Sequence, residues 1–410
     1  MSRHLRLLSL CPRPLAPPAA LLVLLSATAA APVAAALTDP FQVFGGVGYF
    51  HDDNLFRIAD DQPAFDNQRS DSARYAVLGV LVDKTYGRQR LQGQAKLTRM
   101  AFSHFEQLDY DGKDFNAKLN YQIGNRVEGT AGASYVRTLA PYTDFRSRER
   151  NLRTHKRQFA DTAWRFHPSW RVRGSATREK FDYALRIQRF NERTETAYEV
   201  GTDYLPRSGS TAGLVVRRLK GKYANERLLF GVRGTDSFTQ DELKAKVQWL
   251  ATPTSSVLVL AGYARRKHEI AGARDASGFN GRVTGSMQPR TKLRLNMAAW
   301  REFAAIESDL VAYSLNRGAS AGASWDVSSK LRVDGAISRE RRKYDTALLR
   351  NAPPDLKDRI TQASLSATWS PRQTVQFSTS YAHHKRDGAQ LLGNGNFKSN
   401  TVSLSANVQF

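Results

Sequence analysis

The last ten residues, Thr401 to Phe410, alternate without interruption: Val402, Leu404, Ala406, Val408 and Phe410 form one set, and Thr401, Ser403, Ser405, Asn407 and Gln409 the other. Successive side chains on a strand point to opposite faces, so period two specifies a strand with one apolar and one polar surface. A register slip of one residue would exchange those surfaces completely. Whatever this strand joins must offer an apolar environment on one side and a polar one on the other.

The pattern recurs along the chain. Phe115, Ala117, Leu119, Tyr121 and Ile123 oppose Asn116, Lys118, Asn120 and Gln122, and Leu243, Ala245, Val247 and Trp249 oppose Lys244, Lys246 and Gln248. Val375, Phe377, Thr379 and Tyr381 oppose Gln376, Ser378 and Ser380. Eight short turn signals punctuate the strands: Lys84-Thr85-Tyr86-Gly87, Gly124-Asn125-Arg126, His167-Pro168-Ser169, Leu205 to Gly209, Thr252-Pro253-Thr254, Gln288-Pro289-Arg290, Asp326 to Lys330 and Ser370-Pro371-Arg372. Proline or glycine marks most of them, where a ladder cannot continue. Successive turns lie roughly 36 to 47 residues apart, room for two strands and one longer connection. The longer connections are expected around 51–70, 138–150, 183–192, 219–236, 265–276, 303–311, 345–357 and 384–397. Eight short turns, with both chain ends on their side, predict about eighteen strands and nine connections at the far end. The expected fold is all-β, a transmembrane antiparallel up-and-down β-barrel over residues 37–410, wide enough for a water-filled lumen.

Soluble sandwiches alternate too, with their apolar faces meeting in a shared core. Tryptophan position separates the two. Trp164, Trp170, Trp249, Trp325 and Trp369 lie within about three residues of a short turn, and only Trp300 lies elsewhere. Indole rings gather at a bilayer interface, whereas a sandwich core would place them at mid-strand. Helical spans are excluded, because no run of eighteen apolar residues occurs beyond the N-terminus. A mean hydropathy of −0.49 still allows strands that need only every second residue apolar.

Residues 1–36 read as a cleaved export signal: Arg3, Arg6 and Arg13 precede an apolar stretch from Ala19 through Leu25, and Ala34-Ala35-Ala36 closes it. The single cysteine, Cys11, falls inside this segment, so a mature chain starting at Leu37 carries no thiol and no disulfide. Losing those three arginines takes the formal charge from +23 to about +20, which points to an anionic partner or surface.

Parity assigns the charges to faces. Lys96, Lys118, Arg171, Arg173, Lys244, Lys246, Arg282, Arg294 and Arg332 fall on the inward set as candidate pore-lining cations. Glu128, Asp161, Glu195, Glu199, Asp203 and Asp334 fall there too, leaving a modest positive excess. Lipid-facing lysine or arginine would cost about 2–4 kcal/mol each near the midplane, which fixes the register. Denser basic clusters stand at the far strand ends: Arg146, Arg148 and Arg150; Arg217, Arg218, Lys220 and Lys222; Arg265, Arg266 and Lys267; Arg339, Arg341, Arg342 and Lys343. They suit either the phosphates of lipopolysaccharide or the guidance of an anionic polymer at a basic mouth.

Catalytic constellations do not emerge. Gly318-Ala319-Ser320-Ala321-Gly322 has the spacing of a nucleophile elbow but lies within an alternating strand. His383 and His384 are strand neighbours and so face opposite ways. Glu195 and Glu199 share a face as lumen wall beside Arg171 and Arg173, and Asp53 with Arg57 reads as a surface ion pair. Gly393-Asn394-Gly395 reads as a loop tip. No cofactor, no metal and no nucleic-acid partner are implied.

The terminal strand resembles the signal read by the barrel assembly machinery of Gram-negative outer membranes, with Leu404, Ala406, Val408 and Phe410 as its apolar set. The first strand leading to Asp53-Asn54-Leu55-Phe56-Arg57, the proline-marked turns and the terminal aromatic together resemble the outer-membrane β-barrel family associated with exopolysaccharide operons, the EpsL-type proteins. That resemblance implies polysaccharide as the exported substrate, with outer-membrane lipid and periplasmic or inner-membrane export components as partners. The expected function is a passive export conduit, with a general porin favouring small anions as the alternative and an enzyme acting on polysaccharide or lipid as the third reading.

Overall fold

The computed structural model describes residues 40–410 apart from 230–231, 236, 270–273, 307–310, 312, 346–355 and 389–394. The expected export signal and Gly393-Asn394 lie outside the described residues. In chain order the strands are β1 (Phe41–Asp52), β2 (Asp71–Tyr86), β3 (Gln89–Phe102), β4 (Tyr110–Ile123), β5 (Val127–Leu139), β6 (Leu152–His167), β7 (Trp170–Tyr183), β8 (Arg193–Tyr204) and β9 (Thr211–Tyr223). A small separate hairpin follows, β10 (Arg227–Leu229) with β11 (Val232–Gly234). The series resumes with β12 (Phe238–Thr252), β13 (Ser255–His268), β14 (Ala276–Arg290), β15 (Leu293–Ala305) and β16 (Tyr313–Asp326). It ends with β17 (Leu331–Tyr344), β18 (Lys357–Arg372), β19 (Val375–Asp387) and β20 (Phe397–Gln409).

Each barrel strand is antiparallel to its neighbours, and β1 pairs with β2 on one side and β20 on the other, so the 18-stranded sheet closes on itself. Closure removes the unpaired edges that an open sheet of this size would present. The eight tight connections fall at or just beyond the turn signals; Pro289 and Pro371 sit within the last residues of β14 and β18, where the pairing register shifts, and the turns follow at 291–292 and 373–374. At the other end there is a connection the alternation did not reveal, residues 103–109 between β3 and β4, which holds only a short 3-10 turn at Glu106–Leu108. It carries neither glycine nor proline, the residues that mark most of the other breaks.

The two faces differ as parity requires. Leu243, Val247, Leu404 and Leu365 are exposed on the outward face, while their chain neighbours turn inward. Trp164, Trp170, Trp249, Trp325 and Trp369 are all exposed beside the short turns, forming an outward girdle at that end. Trp300 points inward instead, and its indole N–H donates to Glu340 at 2.9 Å.

Among the described residues, buried apolar clusters lie only at the long-connection end. Phe50, Leu55, Phe56, Tyr75, Phe105 and Tyr142 belong to one buried cluster inside the wall of β1 to β6. Phe56 is fully buried and meets Phe65, Phe105 and Tyr142 with ring centroids 4.7–4.9 Å away, three connections packing on one ring.

The segment after β1 ties this core to the closing seam. Asp52 accepts from the Ser399 and Thr401 hydroxyls (2.9 and 2.6 Å), Asp53 accepts from Asn400 N and Nδ2 (2.7 and 2.6 Å), and Asn54 Nδ2 donates to the Lys398 carbonyl (2.9 Å). Asn54 also bonds Ile58 through both its carbonyl and its amide, bracing the turn that buries Leu55 and Phe56. Arg57, held at φ 59°, pairs with Asp52 at 2.9 Å rather than with Asp53, and that pair is mostly buried rather than on the surface. Two further segments that mimic catalytic motifs are ordinary wall: Ser320 lies mid-strand in β16, and His383 and His384 face opposite sides of β19.

Candidate functional site

The inner wall divides into two unlike arcs. On β7, β8, β9 and β12 a single carboxylate, Asp203, gathers three cations: Arg173 Nε at 2.7 Å, Arg171 Nη2 at 2.8 Å and Lys246 Nζ at 3.5 Å. Register explains the meeting. Asp203 stands opposite Gly213 on β9, and Gly213 stands opposite Lys246 on β12. A Cβ on Gly213 would come within 2.8 Å of the Asp203 carboxylate, so the glycine leaves open the path by which Lys246 reaches across a strand. Asp203 has no exposed surface, and Arg171 also reaches Glu128 at 3.4 Å, so three cations set against two carboxylates leave the cluster with a small excess of positive charge.

Beside it Glu242 receives Lys244 at 2.5 Å, Arg217 at 3.2 Å and the Asn280 amide at 3.0 Å. Above these, Arg266 is buried with its guanidinium 3.7 Å from the Phe238 ring centroid and 5.4 Å from that of Tyr313. Cation–π contact of this kind holds a charge without neutralising it.

The other candidate cations also lie on the inward face, each beside an acid. Lys96 pairs with Asp114 (3.2 Å), Arg282 with Glu302 (2.6 Å), and Arg294 and Arg332 share Asp326 (3.2 and 2.7 Å). Lys118 has Asp161 as an electrostatic neighbour. Glu195 pairs with Arg193 at 2.7 Å, so the partners named for it on sequence grounds, Arg171 and Arg173, serve Asp203 instead. Sequence parity places these side chains on the correct face but does not show that they interlock.

Half a turn around the ring from β7 to β9 lie β18 to β20. Toward the short turns their inward positions are mostly hydroxyls, Ser364, Ser366 and Thr368, then Ser378, Ser380, Ser403 and Ser405, whereas nearer the long connections the inward set includes Asp358, His384 and Arg386. Ser380 and Ser403 are 2.6 Å apart across the strand pair. Toward the short-turn end a strongly charged arc thus faces a neutral, hydroxyl-lined stretch across the lumen, and the charges of the second arc, Asp358 and Arg386, are confined to its far end.

The connection between β5 and β6, residues 140–151, reaches the opposite side of the barrel. Its Asp144 accepts from Arg342 Nη1 on β17 at 3.1 Å and from Arg386 Nη1 on β19 at 3.5 Å, and Arg386 also donates to the Thr143 carbonyl. Arg386 and Arg342 are nearly fully buried and each is braced by a wall acid, Asp358 and Glu340 respectively. Charge-assisted bonds of this type contribute about 1.5–3 kcal/mol each, enough to hold a connection in place. Burial raises the Tyr142 hydroxyl well above the usual phenol range, and burial followed by the nearby Arg386 lowers Arg146. The crossing segment thus narrows the barrel at its packed end.

The expected basic mouth is partly overturned by register. Arg146 and Arg148 bind neighbouring connections through Gln62 (3.1 Å) and Asp66, and Arg150 donates to the Asp109 carbonyl at 2.7 Å. Within the strand-end clusters only Arg217, Arg266 and Arg342 turn inward, while Arg218, Lys220, Lys222, Arg265, Lys267, Arg339, Arg341 and Lys343 turn outward. Runs of basic residues at period one cannot all line a pore, because a strand sends alternate side chains to opposite faces. The residues of the expected assembly signal are placed simply: Leu404, Ala406 and Val408 face outward, and Phe410 is exposed beside Val43, whose backbone it bonds at 2.8 and 3.0 Å.

No protein-family model matches the sequence, and no curated protein sequence matches it. Among solved structures the chain is similar to OccAB3 of Acinetobacter baumannii, at 11% identity and a TM-score of 0.47, over 90% of this chain and 98% of that one. It is also similar to OccK2 (OpdF) of Pseudomonas aeruginosa, at 10% identity and a TM-score of 0.49, over 90% and 98%. OpdK of the same organism, solved with vanillate, shares 10% identity at a TM-score of 0.47, over 90% and 99%.

Proposed function

We propose that the chain is an outer-membrane barrel that passes small anionic solutes. The outward apolar surface with its tryptophan girdle supports the membrane setting, and the short-turn end then faces the periplasm. The observation that carries the anionic preference is the meeting of Arg171, Arg173 and Lys246 on one carboxylate, Asp203, in the inner wall. An uneven ratio of fixed charge on one arc biases the lumen toward counter-ions of the opposite sign. The segment crossing the mouth favours small solutes over a polymer, since a thick chain would have to displace Asp144 from Arg342 and Arg386. Reversal potentials across planar bilayers under a potassium chloride gradient test this reading. Anion preference is expected, and a cation preference would sink it. Polysaccharide export, implied by the family resemblance, has its own test in a clean deletion scored for secreted polymer. Loss of polymer, restored by the intact gene, would return that reading to the front.

A further inference from the structure

The outward face of β15 to β18 carries an arrangement that solvation alone does not explain. Register sets Arg301 opposite Arg317, Arg317 opposite Arg341, and Arg341 opposite Arg359, so four adjacent strands present four arginines in one row. Strands lie about 4.8 Å apart, which makes the row about 14 Å long. Arg339 adds a further exposed charge two residues from Arg341 on the same face. Like charges directly opposite one another destabilise a strand pair, and here three successive pairs repeat the same conflict.

Acids on these strands do not relieve it. Glu302, Asp326, Asp334, Glu340 and Asp358 all face inward. Among the described residues the one acid beside the row is Asp387, opposite Arg359, and its ion pair at 3.1 Å is with Lys385. The outward basic surface across β9 to β13 is built differently. There Arg218 and Asp241 stand opposite each other and pair at 2.6 Å, and Asp241 also faces Arg265. Two basic arcs on the same rim therefore differ in whether the chain supplies its own anions.

Height identifies what supplies them instead. Ten residues separate Arg359 from the girdle residue Trp369 on β18. At about 3.3 Å per residue and a tilt near 40° they span about 25 Å, the thickness of an outer-membrane apolar band. Arg359 thus lies at the upper edge of that band, level with outer-leaflet head groups. Eight residues separate Arg317 from Trp325 on β16, about 20 Å by the same measure, so the row slopes down from Arg359 with the strand tilt, within reach of long arginine side chains that extend upward to the head groups. All four positions are arginine, whose planar fork binds phosphate oxygens in pairs, whereas lysine offers only a point charge. Four forks within about 14 Å call for closely spaced, multiply charged phosphates rather than isolated single charges.

We propose that Arg301, Arg317, Arg341 and Arg359 form a binding site for the phosphate monoesters of an outer-leaflet glycolipid. The proposal rests on the membrane setting above and not on the solute that passes through the lumen. It is tested with full-length barrel refolded in detergent, its closure checked by heat-dependent gel mobility. The probes are bis-phosphorylated lipid A, phosphatidylglycerol and inorganic phosphate, with binding read by native mass spectrometry. The R317Q/R341Q/R359Q variant should lose tenfold or more of its lipid A affinity, while R218Q/K220Q/R265Q should stay within about twofold of wild type. Equal affinity of R317Q/R341Q/R359Q and wild type would overturn the site. Equal binding of phosphatidylglycerol would overturn the choice of glycolipid, and equal binding of inorganic phosphate would overturn the choice of a lipid. Should the triple variant fail to close, R341Q alone decides by the same comparison. Planar-bilayer selectivity of the same variants separates this from the channel reading, because the row is outside the lumen and its loss should leave reversal potentials unchanged.

Discussion

The inner arc of β7 to β12 and the inner arc of β18 to β20 line one lumen and solve its wetting in different ways. The first buries a carboxylate with three cations around it; the second presents serine and threonine hydroxyls that satisfy one another or water. A hydroxyl wall loses little when one member is removed, because a neutral bond contributes only about 0.5–1.5 kcal/mol. A charged wall is interdependent, since taking away some of its members strands the rest in a buried setting. In the proposed channel the charged arc is therefore expected to carry both the selectivity and the fragility of the lumen, and the hydroxyl stretch neither.

The largest expected effect follows from breaking the charged arc on one side only. R171Q/R173Q/K246Q leaves Asp203 buried without its cations, so the barrel should lose about 3–5 kcal/mol in urea-dependent unfolding monitored by tryptophan fluorescence. Its anion preference should fall or reverse in bilayer recordings; unchanged reversal potentials would show that this cluster does not set selectivity. Adding D203N to the same variant should restore most of the stability while leaving the lumen without its charge bias. That second variant sharpens the comparison, since it makes the charged arc resemble the hydroxyl one.

The crossing segment comes next. D144N weakens the bonds from Arg342 and Arg386, a loss of about 1.5–3 kcal/mol for each charge-assisted bond, and single-channel conductance should rise. Conductance at the wild-type value would mean that residues 140–151 do not limit flow. On the hydroxyl arc, S380A/S403A should cost no more than about 1 kcal/mol and leave reversal potentials where they were. A shift as large as that of the charged-arc variant would erase the proposed division of labour. The smallest effect is the response to salt. Screening lengths shrink from about 8 Å at physiological salt to about 3 Å at 1 M, so anion preference should fade across that range. Persistence at 1 M would point to a site that desolvates the ion rather than a field that attracts it.

Strand number, strand faces and the positions of the short turns were legible because alternation is a local property, carried by each stretch such as Leu243 to Trp249 without reference to any other. Parity likewise placed Lys246 and Arg173 inside. What it could not convey is which strands stand opposite each other across the lumen. Asp144 meets Arg342 and Arg386 across separations of 198 and 242 residues, and no local pattern encodes that. The clusters at 217–222 and 339–343 misled for a related reason: counted along the chain they form one basic mouth, but the pleat divides them between lumen and rim. Asp52 rather than Asp53 took Arg57 because the turn at Asn54 rotates Asp53 toward β20, and that turn is fixed by a partner 344 residues away.

The seam at that turn also bears on the order of assembly. Asp52, Asp53 and Asn54 hold β20 through side chains, and the same few residues position Leu55 and Phe56 in the core at the mouth. Chain ends that have not yet met give Asn54 no Lys398 carbonyl to grip, so until the last strand arrives the first long connection has only its local bonds, such as those between Asn54 and Ile58. Protection of this connection from protease is therefore expected to appear together with the shutting of the cylinder, and its time course becomes a clock for that moment.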